Sequence, residues 1–455
     1  MLKSLARLLA KGFFGNVYVS GHPYMGRSCI WVANHTSAIV DPAILYGMSP
    51  VTLRPVAKHT LWDHPVMRPL LLNVQAIPVY RAQDMLAKAD GPSAADGEPE
   101  EEARRKLNQS AFRAGAQALV DGDCLMIFPE GISHDKPHLQ RIRSGASLML
   151  LEAVERAANP NFQGVIQPVA IDYFEKDEFR SDLGVYFCKP IFVTDPESKP
   201  EDINRAIEDS LRDGLAQFDN WEDKRNCLFL FETTYGRKPH SPRELRIFQE
   251  SFFPAFLERP EFMSKTQLLR RMLLAMRVSP SQLIWGESHS KRTSFVRTLL
   301  LHGVYHFGVS VPVEAISVPV WIVPFRLVDV LARLTVKERD VIATMKIGYA
   351  CVLFPLWIGL MGAWAASMAW SFTEFSPWLA FALGSGFGVA TLLGSVLFSE
   401  RRSFFPGYWK LARLRFLHPR AWAEVMEEWN SFSDEVFRTI ESMAHRKENP
   451  WRMAR

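Results

Sequence analysis

Short apolar runs alternate with stretches of helical periodicity over residues 15–200. Runs at 17–21, 30–33, 51–58, 74–81, 124–128, 165–171 and 185–191 read as strands, rich in Val and Ile. Helical spacing lies between them at 104–120 and 144–158, with a shorter helix expected after Pro65. Several runs are apolar at almost every position, as strands covered on both faces must be. The fold class that follows is α/β, a mostly parallel twisted sheet covered by helices. Residues 82–103 interrupt the pattern with Ala, Asp, Gly, Pro and Glu and no aromatic residue, and read as a flexible solvated loop.

Beyond residue 200 the strand signals end. Helical patterns at 203–218, 242–256 and 264–276 define a helical region over 201–310. The next segment, 311–346, opens apolar but is punctuated by Pro312, Glu314, Pro319, Pro324, Arg326 and Asp329, which favours an interfacial or re-entrant segment over a clean span. Residues 347–373 and 375–399 carry no charge, and each is long enough to cross a hydrocarbon core of about 30 Å. Glu374 and Pro377 mark the connection, and Gly384, Gly388 and Gly394 allow close approach. The expectation is a two-helix transmembrane hairpin over 347–399 and a cytoplasmic helical tail over 400–455. Arg333, Lys337, Arg339 and Lys346 precede the pair, while Arg401, Arg402, Lys410, Arg413 and Arg415 follow it, so both ends are expected in the cytoplasm.

At the other end, Leu2, Leu5, Leu8, Leu9 and Phe13 interleave with Lys3, Arg7 and Lys11. This breaks any long apolar run, so no secretory leader is expected. Residues 1–14 read either as an amphipathic membrane-interfacial helix or as an ordinary surface helix.

Composition narrows the classes. A formal net charge of +4 points to no nucleic-acid partner, while a pI near 8.7 is compatible with anionic membrane surfaces. The five cysteines, Cys29, Cys124, Cys188, Cys227 and Cys351, are scattered without CxxC spacing, as expected of reduced thiols and not of a zinc site. No metal or other cofactor is expected.

The candidate chemistry starts where the strand at 30–33 stops at Asn34-His35. Asp41-Pro42 looks like the start of the next helix, with Asp41 as N-cap and Pro42 at its first position. That sets a histidine at a strand's C-terminal end, with a carboxylate at the mouth of the following helix. Ligands bind at that edge of open α/β sheets, and a carboxylate-held His is a general base of fixed tautomer. A satisfied surface histidine beside a capping aspartate has the same local sequence. Six positions on a regular helix turn through about 600°, leaving the two side chains roughly 120° apart. The pair therefore forms only if residues 36–40 contain a turn. Asp41 must then serve backbone N–H groups and His35 together.

Arg81, at a strand end, suits a phosphate through its guanidinium fork, and Lys58 is a second candidate; both also read as solvated strand-end cations. His134 and His138 beside Asp135 look loop-like. His302 and His306 have metal-compatible helical spacing but no carboxylate or cysteine within that turn.

Four stretches, 34–41, 77–81, 128–133 and 165–169, are brought to one region by such a sheet. Together they resemble the four sequence blocks of the glycerophospholipid acyltransferase family. The first is His35 to Asp41 with five intervening residues. The commoner family form has four, and the longer form resembles the branch of yeast-type glycerol-3-phosphate/dihydroxyacetone-phosphate acyltransferases. The third, Phe128-Pro129-Glu130-Gly131-Ile132-Ser133, is the most specific. In the second, Ile77 and Arg81 match while Gln75 replaces the usual Gly. The fourth, around Pro168, is weaker. Residues 340–346 and the hairpin look like the C-terminal part of the same branch.

The resemblance implies fatty acyl transfer from acyl-CoA or acyl carrier protein to glycerol-3-phosphate or 1-acylglycerol-3-phosphate at a membrane. His35 and Asp41 are its implied catalytic pair, and Arg81, Glu130 and Gly131 hold the acceptor's phosphate end. A bare carboxylate repels phosphate, so Glu130 suits a cation or a glycerol hydroxyl, with Gly131 and Ser133 giving donors. No Gly-x-Ser-x-Gly elbow is present, and Cys29 and Cys124 lie at strand starts, so direct attack fits better than an acyl-enzyme. A phospholipid–lysophospholipid transacylase and a non-catalytic membrane lipid-binding protein are the alternatives; Gln75 alone supports the latter.

Overall fold

The computed structural model describes residues 2–80, 97–157, 162–288, 300, 303–304, 308–309, 311–336, 338–372, 376–399 and 410–444. Its first part alternates strands and helices: α1 (Leu2–Phe13), β1 (Val17–Gly21), β2 (Cys29–Ala33), α2 (Val40–Met48), β3 (Leu53–Lys58), α3 (Met67–Asn73), β4 (Ile77–Val79), α4 (Gly97–Val120), β5 (Cys124–Ile127), α5 (Gly145–Arg156), β6 (Gly164–Tyr173), β7 (Leu183–Phe187) and β8 (Ile191–Val193). One sheet runs β1-β7-β6-β2-β5-β3-β4, with β8 on β6. Only the β6–β7 and β6–β8 pairings are antiparallel, so the sheet is mostly parallel, as the sequence pattern implies.

β2 lies between β5 and β6, and all five of its residues are fully buried. Alternation along it feeds two cores. Cys29, Trp31 and Ala33 pack with Val40, Ile44 and Leu45 on one face. Ile30 and Val32 pack with Ile127, Ala146 and Leu150 on the other. The strand read at 74–81 is shortened because Val74 and Gln75 close α3, donating to the carbonyls of Leu70 and Leu72.

The second part is helical: α6 (Pro200–Gly214), α7 (Trp221–Tyr235), α8 (Pro242–Ser251), α9 (Phe253–Leu257), α10 (Pro260–Met276) and α11 (Pro280–Ser288). α7 has no simple stripe to read, since Lys224, Asn226, Cys227, Phe229, Leu230 and Phe231 are all buried.

Three further helices are long and apolar enough to cross a membrane, α12 (Val311–Thr335), α13 (Arg339–Phe372) and α14 (Pro377–Ser399). The sequence suggested two, with the first of these as an interfacial or re-entrant segment. α12 continues as one helix through Pro319 and Pro324. Pro324 cannot donate to the carbonyl of Val320, and that carbonyl instead accepts the indole N–H of Trp357 on α13 at 3.0 Å. Gly384 permits the α13–α14 contact, because a Cβ there would lie 2.7 Å from that of Ala365.

The last helix, α15 (Pro419–Ala444), returns to the helical region, where Phe432 stacks on Phe262 at 5.3 Å. His302 and His306 lie outside the described residues.

Trp357→Phe keeps the ring and removes the donor, leaving the Val320 carbonyl unpaired. Thermal unfolding in detergent should show a loss of about 1–3 kcal/mol. In a Pro324→Ala background, which restores a local N–H, the same change should cost little. Equal losses in both backgrounds would mean that Trp357 does not serve this carbonyl.

Candidate active site

The sheet register sets the site's level. Val32 pairs with Ile127, Pro55 with Met126, and Lys58 with Val79. Continued by two or three residues, these registers bring Asn34, Pro129 and Lys58 to one edge, at the C-terminal ends of parallel strands.

There the Nδ1 of His35 meets Asp41 Oδ2 at 2.9 Å. The same oxygen accepts the Ser37 N–H at 2.7 Å, and the Asp41 N–H donates to the Ser37 carbonyl at 2.9 Å. This is the turn that a five-residue spacer requires. Asp41 is not the N-cap, because α2 begins at Val40 and the aspartate lies in its first turn with the carboxylate reaching back. The other oxygen, Oδ1, accepts the hydroxyl of Tyr173 on β6 at 2.5 Å. Burial and the Asp41 carboxylate push the Tyr173 phenol well above its ordinary value, so it remains a donor. With Nδ1–H given to Asp41, the lone pair of His35 lies on Nε2, which has no partner among the described residues. The imidazole stacks on Phe128 at 4.3 Å and is 12% exposed.

A second histidine–carboxylate pair stands behind the first. Glu130 is 2% exposed. Its Oε1 accepts the His35 N–H at 2.7 Å, while Oε2 takes the Gln140 N–H at 2.8 Å and His134 Nε2 at 2.5 Å. The Lys136 N–H occupies His134 Nδ1, which sets the His134 proton on Nε2. Both Glu130 oxygens are thus engaged within the protein. The His134 N–H returns a bond to the His35 carbonyl at 3.2 Å. Lys176, also buried, donates to the carbonyls of Thr36 (2.8 Å) and His134 (3.3 Å) and pairs with Asp135 at 2.8 Å.

Gly131 adopts φ +78°, and a Cβ there would lie 2.8 Å from Cδ and Nε of Arg143. The exposed guanidinium of Arg143 therefore lies over the Gly131 backbone at the open edge. Ser133 Oγ donates to Asp340 Oδ2 at 2.6 Å. Pro168 is buried in mid-strand opposite Val32, and its carbonyl accepts from Cys188, so it shapes the sheet and not the mouth. Arg81 lies outside the described residues. Tyr173, Lys176 and Asp340 were not singled out from sequence, since each reaches the site from a distant part of the chain; Arg143, close in sequence, carries no motif of its own. Burial raises the Cys29 and Cys124 thiols, which suits neither to a nucleophile's role.

Residues 16–172 match the family model described as Acyltransferase. That segment is similar to an acyltransferase-family domain. The chain is 24% identical over 400 residues to glycerol-3-phosphate O-acyltransferase 1 of Saccharomyces cerevisiae, which covers 75% of this chain and 50% of that protein. It is 37% identical over 86 residues to glycerol-3-phosphate O-acyltransferase 2 of the same yeast, 19% of this chain and 11% of that protein. The chain thus spans half or less of these relatives' length. Among solved structures, the Thermotoga maritima 1-acyl-sn-glycerophosphate acyltransferase PlsC aligns over 46% of this chain and 76% of its own, at 16% identity and a TM-score of 0.34. Within the matched segment, Gln75 takes φ +51°, the left-handed conformation that a Gly adopts freely and other residues reach at a cost of about 1–2 kcal/mol. The Gln-for-Gly replacement keeps the local backbone shape.

Tyr173→Phe removes one donor from Asp41 and leaves more charge directed at the His35 ring. Transfer should slow by about tenfold, the scale of one hydrogen bond to a charged group. An unchanged rate would mean that the Tyr173 bond to Asp41 plays no part in the reaction.

Proposed function

We propose that the protein is a membrane O-acyltransferase that moves a fatty acyl group from a thioester donor, acyl-CoA or acyl carrier protein, to glycerol-3-phosphate or 1-acylglycerol-3-phosphate. The observation that carries this is the free Nε2 of His35, opposite a buried carboxylate, at the open edge of the parallel sheet. Nε2 takes the proton of the acceptor hydroxyl as its oxygen attacks the thioester carbonyl. The imidazolium is held by Asp41. As the tetrahedral intermediate collapses, the C–S bond breaks and the leaving sulfur takes the proton from Nε2. Every proton is returned and no covalent enzyme intermediate forms.

The acceptor's phosphate is assigned to the cations Arg143, beside Gly131, and Lys58 on β3, with Arg81 kept as a candidate from the sequence alone. Glu130 is given a positioning role, holding the end of β2 against the loop after β5. Asp340 and Thr344 on α13 touch these loops, and the uncharged run of the helix begins at Ile347. At 1.5 Å per residue this sets the site about 10 Å from the start of that run. A lipid held in the membrane can therefore present its head at His35. α1 packs Ala6, Ala10 and Phe13 on the domain and leaves Leu5 and Leu8 exposed, which suits an interfacial position. The cationic flanks of α13 and α14 favour the cytoplasmic side for the domain.

Purified protein in detergent, given labelled acyl-CoA and both acceptors side by side, should acylate one of them. His35→Ala should lower the rate by about 10²–10⁴-fold while the protein still folds and inserts. Retention of more than roughly a tenth of the activity would remove His35 as base. Product from a phospholipid donor without thioester would support the transacylase reading instead.

For topology, an impermeant thiol reagent outside intact cells should label Trp378→Cys at the start of α14 and not Arg413→Cys beyond its end. Equal labelling would refute the orientation.

A further inference from the structure

α13 serves both as a membrane helix and as a wall of the catalytic site. Its first two turns carry the contacts. Asp340 is 6% exposed, and its carboxylate accepts the Ser133 hydroxyl at 2.6 Å while its carbonyl accepts the Ser37 hydroxyl at 3.4 Å. One turn on, Thr344 Oγ1 accepts the Ile39 N–H at 3.2 Å. Between them Ala343 is fully buried in the core that also holds Trp31, Val40 and Ile44. On the flank, Arg339 pairs with Asp177 at 2.8 Å, and Lys346 donates to the Asp177 carbonyl at 2.7 Å.

These contacts divide between two loops. Ser37 and Ile39 lie between His35 and Asp41, so they belong to the turn that lets the pair form. Ser133 lies on the loop that follows Glu130 and Gly131, the segment assigned to the acceptor. Lys176 bridges the same two loops from the other side, through the carbonyls of Thr36 and His134. Burial lowers the pKa of its ammonium, while Asp135, Asp340 and Asp41 counter that shift by stabilising its charge. A membrane anchor alone needs no buried carboxylate at this place. Burying one is costly unless its oxygens are bonded, and here the bond goes to an active-site serine.

We propose that Asp340 is a positioning residue for acyl transfer. By accepting the hydroxyls of Ser133 and Ser37, it holds the His35–Asp41 turn and the Gly131–His134 loop at their working separation. The site is then complete only when the first two turns of the membrane helix are docked. This rests on the acyltransferase reading above, and it adds a role for a residue of the membrane helix in that reaction.

The test uses the full chain in detergent, with a long-chain acyl-CoA and whichever acceptor the wild type uses. Asp340→Ala should lower kcat/KM for the acceptor about 10- to 100-fold and leave the KM for acyl-CoA within about twofold. Asp340→Asn, which keeps an oxygen for Ser133, should recover most of the loss. Ser133→Ala added to Asp340→Ala should cost little more, because the two share one bond. Hydrogen exchange should quicken in segments 36–39 and 131–136 of Asp340→Ala while β2 and β5 stay protected. An Asp340→Ala enzyme with wild-type kcat/KM and unchanged exchange would overturn the proposal. So would equal losses for donor and acceptor accompanied by a lowered thermal midpoint, which would mark a merely structural residue. A wild type inert toward both acceptors would refute the acyltransferase reading; the exchange pattern would then still decide whether Asp340 holds the two loops.

Discussion

The buried carboxylate of Asp41 is the constraint on which the site depends. It is fully inaccessible to solvent, so its charge is tolerable only if its oxygens are satisfied from within. Three donors do this: the Ser37 amide, the Tyr173 hydroxyl and the His35 ring. Each comes from a different element, the turn after β2, the end of β6 and the end of β2. Satisfying one charge therefore fixes the turn, aligns two neighbouring strands and sets the tautomer of His35. An imidazole of defined direction results from the same bonds that make the burial tolerable, which is what the proposed general base requires.

Glu130 repeats the arrangement one strand away. It spends both oxygens on His35 N–H, Gln140 N–H and His134, so the loop after β5 is tied to the loop after β2. Lys176 crosses the same gap with the opposite charge. The outcome is a cross-braced wall behind His35, built from buried, mutually bonded groups.

Much of this was legible in the chain. The strands are apolar at nearly every position because helices cover both faces, and β2 ends where its apolar run ends. The need for a turn between His35 and Asp41 followed from helix geometry alone. The helix start was misplaced because Asp-Pro imitates a capping pair, whereas the carboxylate here bonds back to Ser37 and the helix begins earlier. Tyr173, Lys176 and Asp340 could not be read locally: they lie 132, 140 and 303 residues from the groups they meet. The continuity of α12 is hidden in the sequence because proline counts against a helix in water, while Trp357 supplies the missing donor from a neighbouring helix.

Direct attack is the central claim, and it differs from an acyl-enzyme route in what the protein carries. Wild-type protein should be mixed with acyl-labelled thioester in the absence of any acceptor, quenched in denaturant and resolved. The His35 mechanism predicts no label on the polypeptide, and product only once a hydroxyl acceptor is added. Stoichiometric label that survives denaturation and is discharged by the acceptor would contradict it.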